Sequence, residues 1–155
     1  MGDSVNPVPE GFHTVTPYVT VKGAAGAIEF YGRAFGAREI FRWTDTDGEI
    51  RHAEVVVGDS PIMLTDEAPE FGMSGPQSPG ASPVHMFLYV EDADAVFDRA
   101  IRAGATELMP VEDSGDGDRR GGVTDPYGHV WYIATHIENI SREDLQKRYD
   151  GATKR

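Results

Sequence analysis

The chain has no cysteine among its 155 residues, which removes disulfides, thiolate nucleophiles and zinc–thiolate sites at one stroke. It is also short of positive charge. Fourteen Lys and Arg stand against 26 Asp and Glu, for a formal net charge of −12. Such a surface repels phosphate rather than exchanging counterions for it, so neither nucleic acid nor an anionic membrane is the expected partner. No apolar run approaches the roughly 20 residues needed to span a bilayer. The first eleven residues lack the basic and apolar regions of a secretory signal. Together these absences point to a cytoplasmic protein. Its 39% hydrophobic and 10% aromatic content suffices for a packed core.

What is present is a repeat. Tyr18-Val19-Thr20-Val21, a helical stripe through Ile28, Tyr31 and Phe35, and a stop at Gly36 are answered by Phe87-Leu88-Tyr89-Val90, a stripe through Val96, Phe97 and Ala100, and a stop at Gly104. Val21 and Val90 are 69 residues apart, Gly36 and Gly104 are 68 apart. A duplicated strand–helix–glycine unit predicts pseudo-twofold architecture with a cleft between the copies.

Around this repeat the reading runs as follows. Residues 1–12 are a flexible arm. Val15 to Val21 alternates with period two, as a strand does, and Gly26 to Phe35 follows as a helix. Glu39–Thr44 and Glu49–Val57 are strands joined by the turn Asp45-Thr46-Asp47-Gly48, and Ser60–Thr65 is a fourth strand. Residues 66–83 are rich in Pro, Gly and Ser and form a linker. The second unit has a strand at Val84–Val90, a helix at Ala93–Ala103, a strand at Glu107–Val111, a glycine- and charge-rich loop at Asp113–Gly122, and a strand at Val130–Thr135. Ser141 and Asp144 have capping-box spacing for a last helix reaching about Tyr149. A domain over 13–137 is thus divided into modules 13–65 and 84–137, with a C-terminal helix and tail at 138–155.

The stretches "FYGRAFGA", "RHAEVVVGDSPIMLTDE", "GDRRGGVTDPYGHVW" and "ATHIENIS", in this order, resemble the vicinal oxygen chelate superfamily, which comprises the glyoxalases, bleomycin-resistance proteins and extradiol dioxygenases, and within it the PhnB-like subgroup. The resemblance implies an α+β fold of two βαβββ modules forming an eight-stranded cleft. It also implies a homodimer that shares or completes such clefts.

Metal-dependent members of that superfamily place a His or Gln on the first strand of each module and a Glu on the last. Carried over, those positions are Thr16, Met63, His85 and Tyr132. One imidazole among four such groups does not suit a divalent ion that wants several hard donors, so the expectation is no metal and no cofactor. A second constellation lies on one strand. His52 and Glu54 are two residues apart and share a face. With His85 they form a catalytic candidate, as an acid–base group or an unorthodox metal site; alternatively they are solvated side chains on an exposed sheet edge. Thr16, Tyr18, Met63, Phe87, Tyr89 and Tyr132 are the ligand-binding candidates on the cleft face. Arg119 is added as a guanidinium able to reach an anionic ligand or to form a loop salt bridge.

The sequence therefore predicts a protein that binds or sequesters a small aromatic or drug-like molecule. The alternatives are a metal-dependent lyase, isomerase or dioxygenase, and a dimeric scaffold without a ligand.

Overall fold

Strands of alternating apolar residues are the foundation of the fold, because each turns one sheet face to a helix and leaves the other open. The computed structural model describes residues 4–153. Module one runs β1 (Tyr18–Val21), α1 (Ala24–Phe35), β2 (Arg38–Thr44), β3 (Ile50–Val57) and β4 (Ser60–Asp66). Module two repeats this as β5 (Met86–Tyr89), α2 (Ala93–Ala103), β6 (Thr106–Asp113), β7 (Asp118–Thr124) and β8 (Val130–His136). A terminal helix, α3 (Arg142–Thr153), follows. The sheet orders are β1-β4-β3-β2 and β5-β8-β7-β6. In each, the first and last strands are parallel and the others antiparallel.

The repeat seen in the sequence is carried into the register. Tyr18 pairs with Met63, and Phe87, 69 residues later, pairs with Tyr132. Val19, Val21, Ala53, Val55 and Leu64 bury the helix side of the first sheet, and Val123, Trp131 and Ile133 that of the second. Helix α1 is held at both ends by backbone chemistry. The Asp66 carboxylate accepts the N–H groups of Gly23 and Ala24, and its other oxygen accepts from Ile50 at 2.7 Å, satisfying donors the helix cannot reach. Gly36, at φ +70°, closes the helix in the left-handed region that favours glycine. Helix α2 uses Asp92 as a side-chain cap on Ala95 N–H, while the Thr135 hydroxyl accepts from Ala93.

The modules meet through their helices and one buried carboxylate. Trp131 of β8 packs on Phe35 and Tyr31 of α1, with ring centroids 4.5 and 5.3 Å away. Asp125, in the turn before β8, accepts the Tyr31 hydroxyl at 2.7 Å and the Trp131 indole N–H at 3.0 Å. Burial and the adjacent carboxylate push the Tyr31 phenol well above its ordinary value, so this hydroxyl remains a donor.

Two strands depart from the sequence reading. The segment read as a loop from Asp113 to Gly122 contains most of β7. Its glycines signify close packing rather than a loop, since a Cβ on Gly121 would lie 2.8 Å from Val111 Cγ2. Strand β6 also continues past Pro110, accommodating it with register shifts between Met109 and Glu112. Elsewhere α1 begins two residues early, β1 and β5 are shorter than their alternation suggested, and α3 extends to Thr153 with Ser141 capping Asp144 N–H. The linker contains a short 3₁₀ turn, Pro69–Phe71. Of the N-terminal arm, residues 1–3 lie outside the described residues.

Candidate binding faces

Each sheet presents a row of side chains on the face away from its helix. In module one the row is Tyr18, Met63, Glu54 and Phe41, with His52 and Trp43 paired in the next. Glu54 accepts from His52 Nε2 at 2.9 Å, because a carboxylate can only accept. In the neutral imidazole Nδ1 is then an acceptor, and the Tyr18 hydroxyl donates to it at 3.2 Å. The result is a carboxylate–imidazole–phenol chain across three residues of β1 and β3. Its aromatic surroundings are open: Phe41 is 49% exposed and Trp43 56%.

The equivalent row in module two is Phe87, Tyr132, Gly122 and Met109. Phe87 lies 5.1 Å from Tyr89 and 5.9 Å from Tyr132, centroid to centroid. Arg120 lies over the Phe87 ring at 5.8 Å, within cation–π range, and is anchored by Asp116 at 2.9 Å. Asp118 accepts the Tyr89 hydroxyl at 2.9 Å and pairs with His136 Nδ1 at 2.9 Å. The hydrogen bond to Asp118 pushes the Tyr89 phenol above its usual value. The Asp118 and Asn139 contacts raise His136 above 6.5. Beside them is an open hollow of about 530 Å³ lined by Phe87, Tyr89, Met109, Asp116, Asp118, Arg120 and Tyr132, a volume suited to a small organic molecule.

The sequence candidates separate accordingly. Tyr18, His52, Glu54 and Met63 share the first face, and Phe87, Tyr89 and Tyr132 the second. Thr16 precedes β1 and donates to His13 O. His85 lies just before β5, with its ring 5.6 Å from Tyr132. Among the described residues no three His, Asp or Glu side chains converge as a metal ion would need, so His85 does not join His52 and Glu54 in a three-ligand set. The superfamily's metal positions, filled here by Thr16, Met63, His85 and Tyr132, do not fit a divalent ion: a thioether and two neutral hydroxyls accompany the one imidazole.

Arg119 lies on the helix side of β7, where Asp94 and Asp113 hold its guanidinium at 2.7 and 3.1 Å and raise it further. Its neighbour Arg120 is the arginine on the open face. Strand alternation would have distinguished the two, but reading β7 as a loop concealed it. Asp118 was missed for the same reason, whereas Asp116, in the loop before β7, has no strand alternation to place it.

Comparison with known proteins agrees with this architecture. Residues 11–133 match the family model described as the Glyoxalase/Bleomycin resistance protein/Dioxygenase superfamily. The chain is 39% identical over 135 residues to the uncharacterized protein Rv0887c of Mycobacterium tuberculosis, covering 85% of this chain and 79% of that one. The crystal structure of the Arabidopsis thaliana At5g48480 product superposes with a TM-score of 0.65 at 28% identity, covering 79% of this chain and 98% of that one. A PhnB protein from Bacillus cereus shares the fold at 16% identity and a TM-score of 0.61, over 79% of this chain and 99% of its own. Among the described residues, no helix is long and apolar enough to cross a membrane. With its two βαβββ modules and their open faces, the chain belongs to the glyoxalase/bleomycin resistance/dioxygenase superfamily.

Proposed function

We propose that this chain is a cytoplasmic small-molecule-binding protein that works as a homodimer and takes an aromatic or conjugated ligand without a metal. The observation that carries the reading is the aromatic lining of both open faces, above all the hollow of about 530 Å³ with Phe87, Tyr89 and Tyr132 on its walls and Arg120 held over Phe87. Such surfaces left in water are uncommon on monomers. A second copy placing its module-one face opposite a module-two face would bury Phe41 and Trp43 and leave a ligand-sized space. Stacking against the tyrosines and hydrogen bonding to Arg120 would then select a flat molecule with a polar edge.

One observation favours an enzymatic variant of this reading. The Glu54–His52–Tyr18 chain has the composition of a general acid–base group, with Glu54 orienting the imidazole and the phenol on the open face. It would move a proton at the Tyr18 oxygen.

A thermal-shift screen of aromatic metabolites, combined with sedimentation analysis, tests the binding reading. Stabilising compounds should lose their effect in Tyr132→Ala, and the protein should sediment as a dimer. A monomer that no aromatic compound stabilises would refute it. A Tyr18→Phe variant that binds normally but fails to turn over a ligand would favour the enzymatic variant.

A further inference from the structure

A second hollow, of about 520 Å³, lies apart from the hollow beneath Arg120, between β1, β5 and the linker strap at residues 74–84. Its walls are mainly apolar, with Pro17, Pro76, Pro83, Val84 and Met86 prominent. No Asp, Glu, Lys or Arg side chain lines it, although 26% of the chain is charged. The polar feature that sets its chemistry is His129, only 7% exposed and part of the wall. Its Nε2 lies 2.9 Å from the Thr20 carbonyl. A carbonyl only accepts, so Nε2 carries the proton, and Nδ1 of the neutral ring is an acceptor. No hydrogen bond to Nδ1 is present among the described residues. Among the described residues no buried side-chain nitrogen or oxygen lacks a partner, so Nδ1 keeps access to solvent, and a ligand hydroxyl reaching it would replace water.

We infer that this strap pocket is a second binding site, for a compact neutral aromatic molecule bearing one hydroxyl donor, such as a simple phenol, which His129 Nδ1 recognises. The prolines and Met86 take the ring, and the phenolic O–H donates to Nδ1 in place of water. The volume lies within the usual range for small-molecule sites. Absence of charge from the walls disfavours carboxylates and amines, which would have to shed their hydration without compensation. Tyr18 borders both this pocket and the module-one face, so an occupant would abut the proton chain without belonging to it.

Amide NMR titration with 4-ethylphenol and its methyl ether, 4-ethylanisole, provides the test. The phenol should shift the resonances of Gly75, Ala81, Ser82, Val84 and His129 in a saturable manner, and the ether should bind about fivefold or more weakly for want of the donor. His129→Gln keeps an N–H near the Nε2 position for Thr20 and removes the ring acceptor. It should weaken the phenol to the level of the ether. Ala81→Trp fills the pocket from the strap, leaves the His129–Thr20 bond in place, and should abolish the shifts. Equal affinity for phenol and ether would overturn the role of Nδ1. Absence of saturable shifts, or shifts confined to residues around Phe87 and Tyr132, would overturn the site. The last result would leave the proposed binding faces standing, while shifts at the strap alone would spare this site and count against them.

Discussion

The two modules are one fold carrying two different open faces, and the differences compensate one another. At matched positions Tyr18 becomes Phe87, Met63 becomes Tyr132, and Glu54 becomes Gly122. The last two changes belong together. A Cβ on Gly122 would lie 3.3 Å from the Tyr132 ring and 3.1 Å from Met109 Cγ, so the tyrosine occupies the room that a longer residue would need. Module one keeps the smaller Met63 and the acid beside it. His52 and Arg120 stand at the same place, each held by an acid, but Glu54 comes from two residues along the strand and Asp116 from the loop before it. Framework positions therefore persist while face positions differ in correlated pairs, as expected where packing constrains neighbours.

A similar contrast distinguishes two aspartates. Asp45 and Asp125 each begin a turn and accept backbone N–H groups two and four residues on, but the second oxygen of Asp45 meets Arg51 near the surface whereas that of Asp125 meets buried Tyr31 and Trp131. Breaking this comparison should give the largest effect. Asp125→Ala strands four donors, and urea unfolding should show a loss of about 3–5 kcal/mol. Asp45→Ala, at a solvent-screened turn, should cost much less. Equal losses would mean that the inter-module bonds contribute nothing special.

The compensating pair predicts an intermediate effect. Gly122→Ala should destabilise by about 1–3 kcal/mol through crowding of Tyr132 and Met109, and Tyr132→Met in the same chain should restore much of it. A double variant no better than the single one would separate the two positions and weaken the account of their correlation.

The smallest effect concerns His136, whose counterpart 69 residues earlier is Glu67. Its contacts with Asp118 and Asn139 raise it above 6.5. The stabilisation from these contacts is fully present below the unfolded value near 6.5 and is lost as pH rises through the raised folded value. Thermal melting of wild type should therefore decline slightly over that window, and His136→Gln should flatten the decline. His136 is well exposed, so screening keeps the effect small. An unchanged slope in the variant would place the dependence elsewhere.

Much of the framework was legible before the fold was known. The period-two valines, the helical stripes and the glycine stops fix local geometry, and the repeat of Tyr18–Gly36 at Phe87–Gly104 disclosed the two modules. The site was legible only in part. His52 and Glu54 could be placed on one face because strand geometry alone puts them there, whereas their link to Tyr18 crosses from β3 to β1 and has no local signature. Arg120 was hidden because the glycines of β7 imitate a loop, and only the proximity of Val111 and Tyr132 explains them. His129 was not singled out, since nothing near it in sequence indicates that its ring reaches Thr20.

The sequence by itself determined the two modules, the order of their elements apart from β7, and the residue types on the faces of the strands it disclosed, because these depend on backbone preference and side-chain period. Only the tertiary structure decided which groups touch: that Asp125 joins the modules, that Arg119 is consumed on the helix side while Arg120 faces the hollow, and that His85, His52 and Glu54 form no three-ligand metal group. Those outcomes depend on register and on distances across strands far apart in the chain, where a shift of one residue sends a side chain to the opposite face.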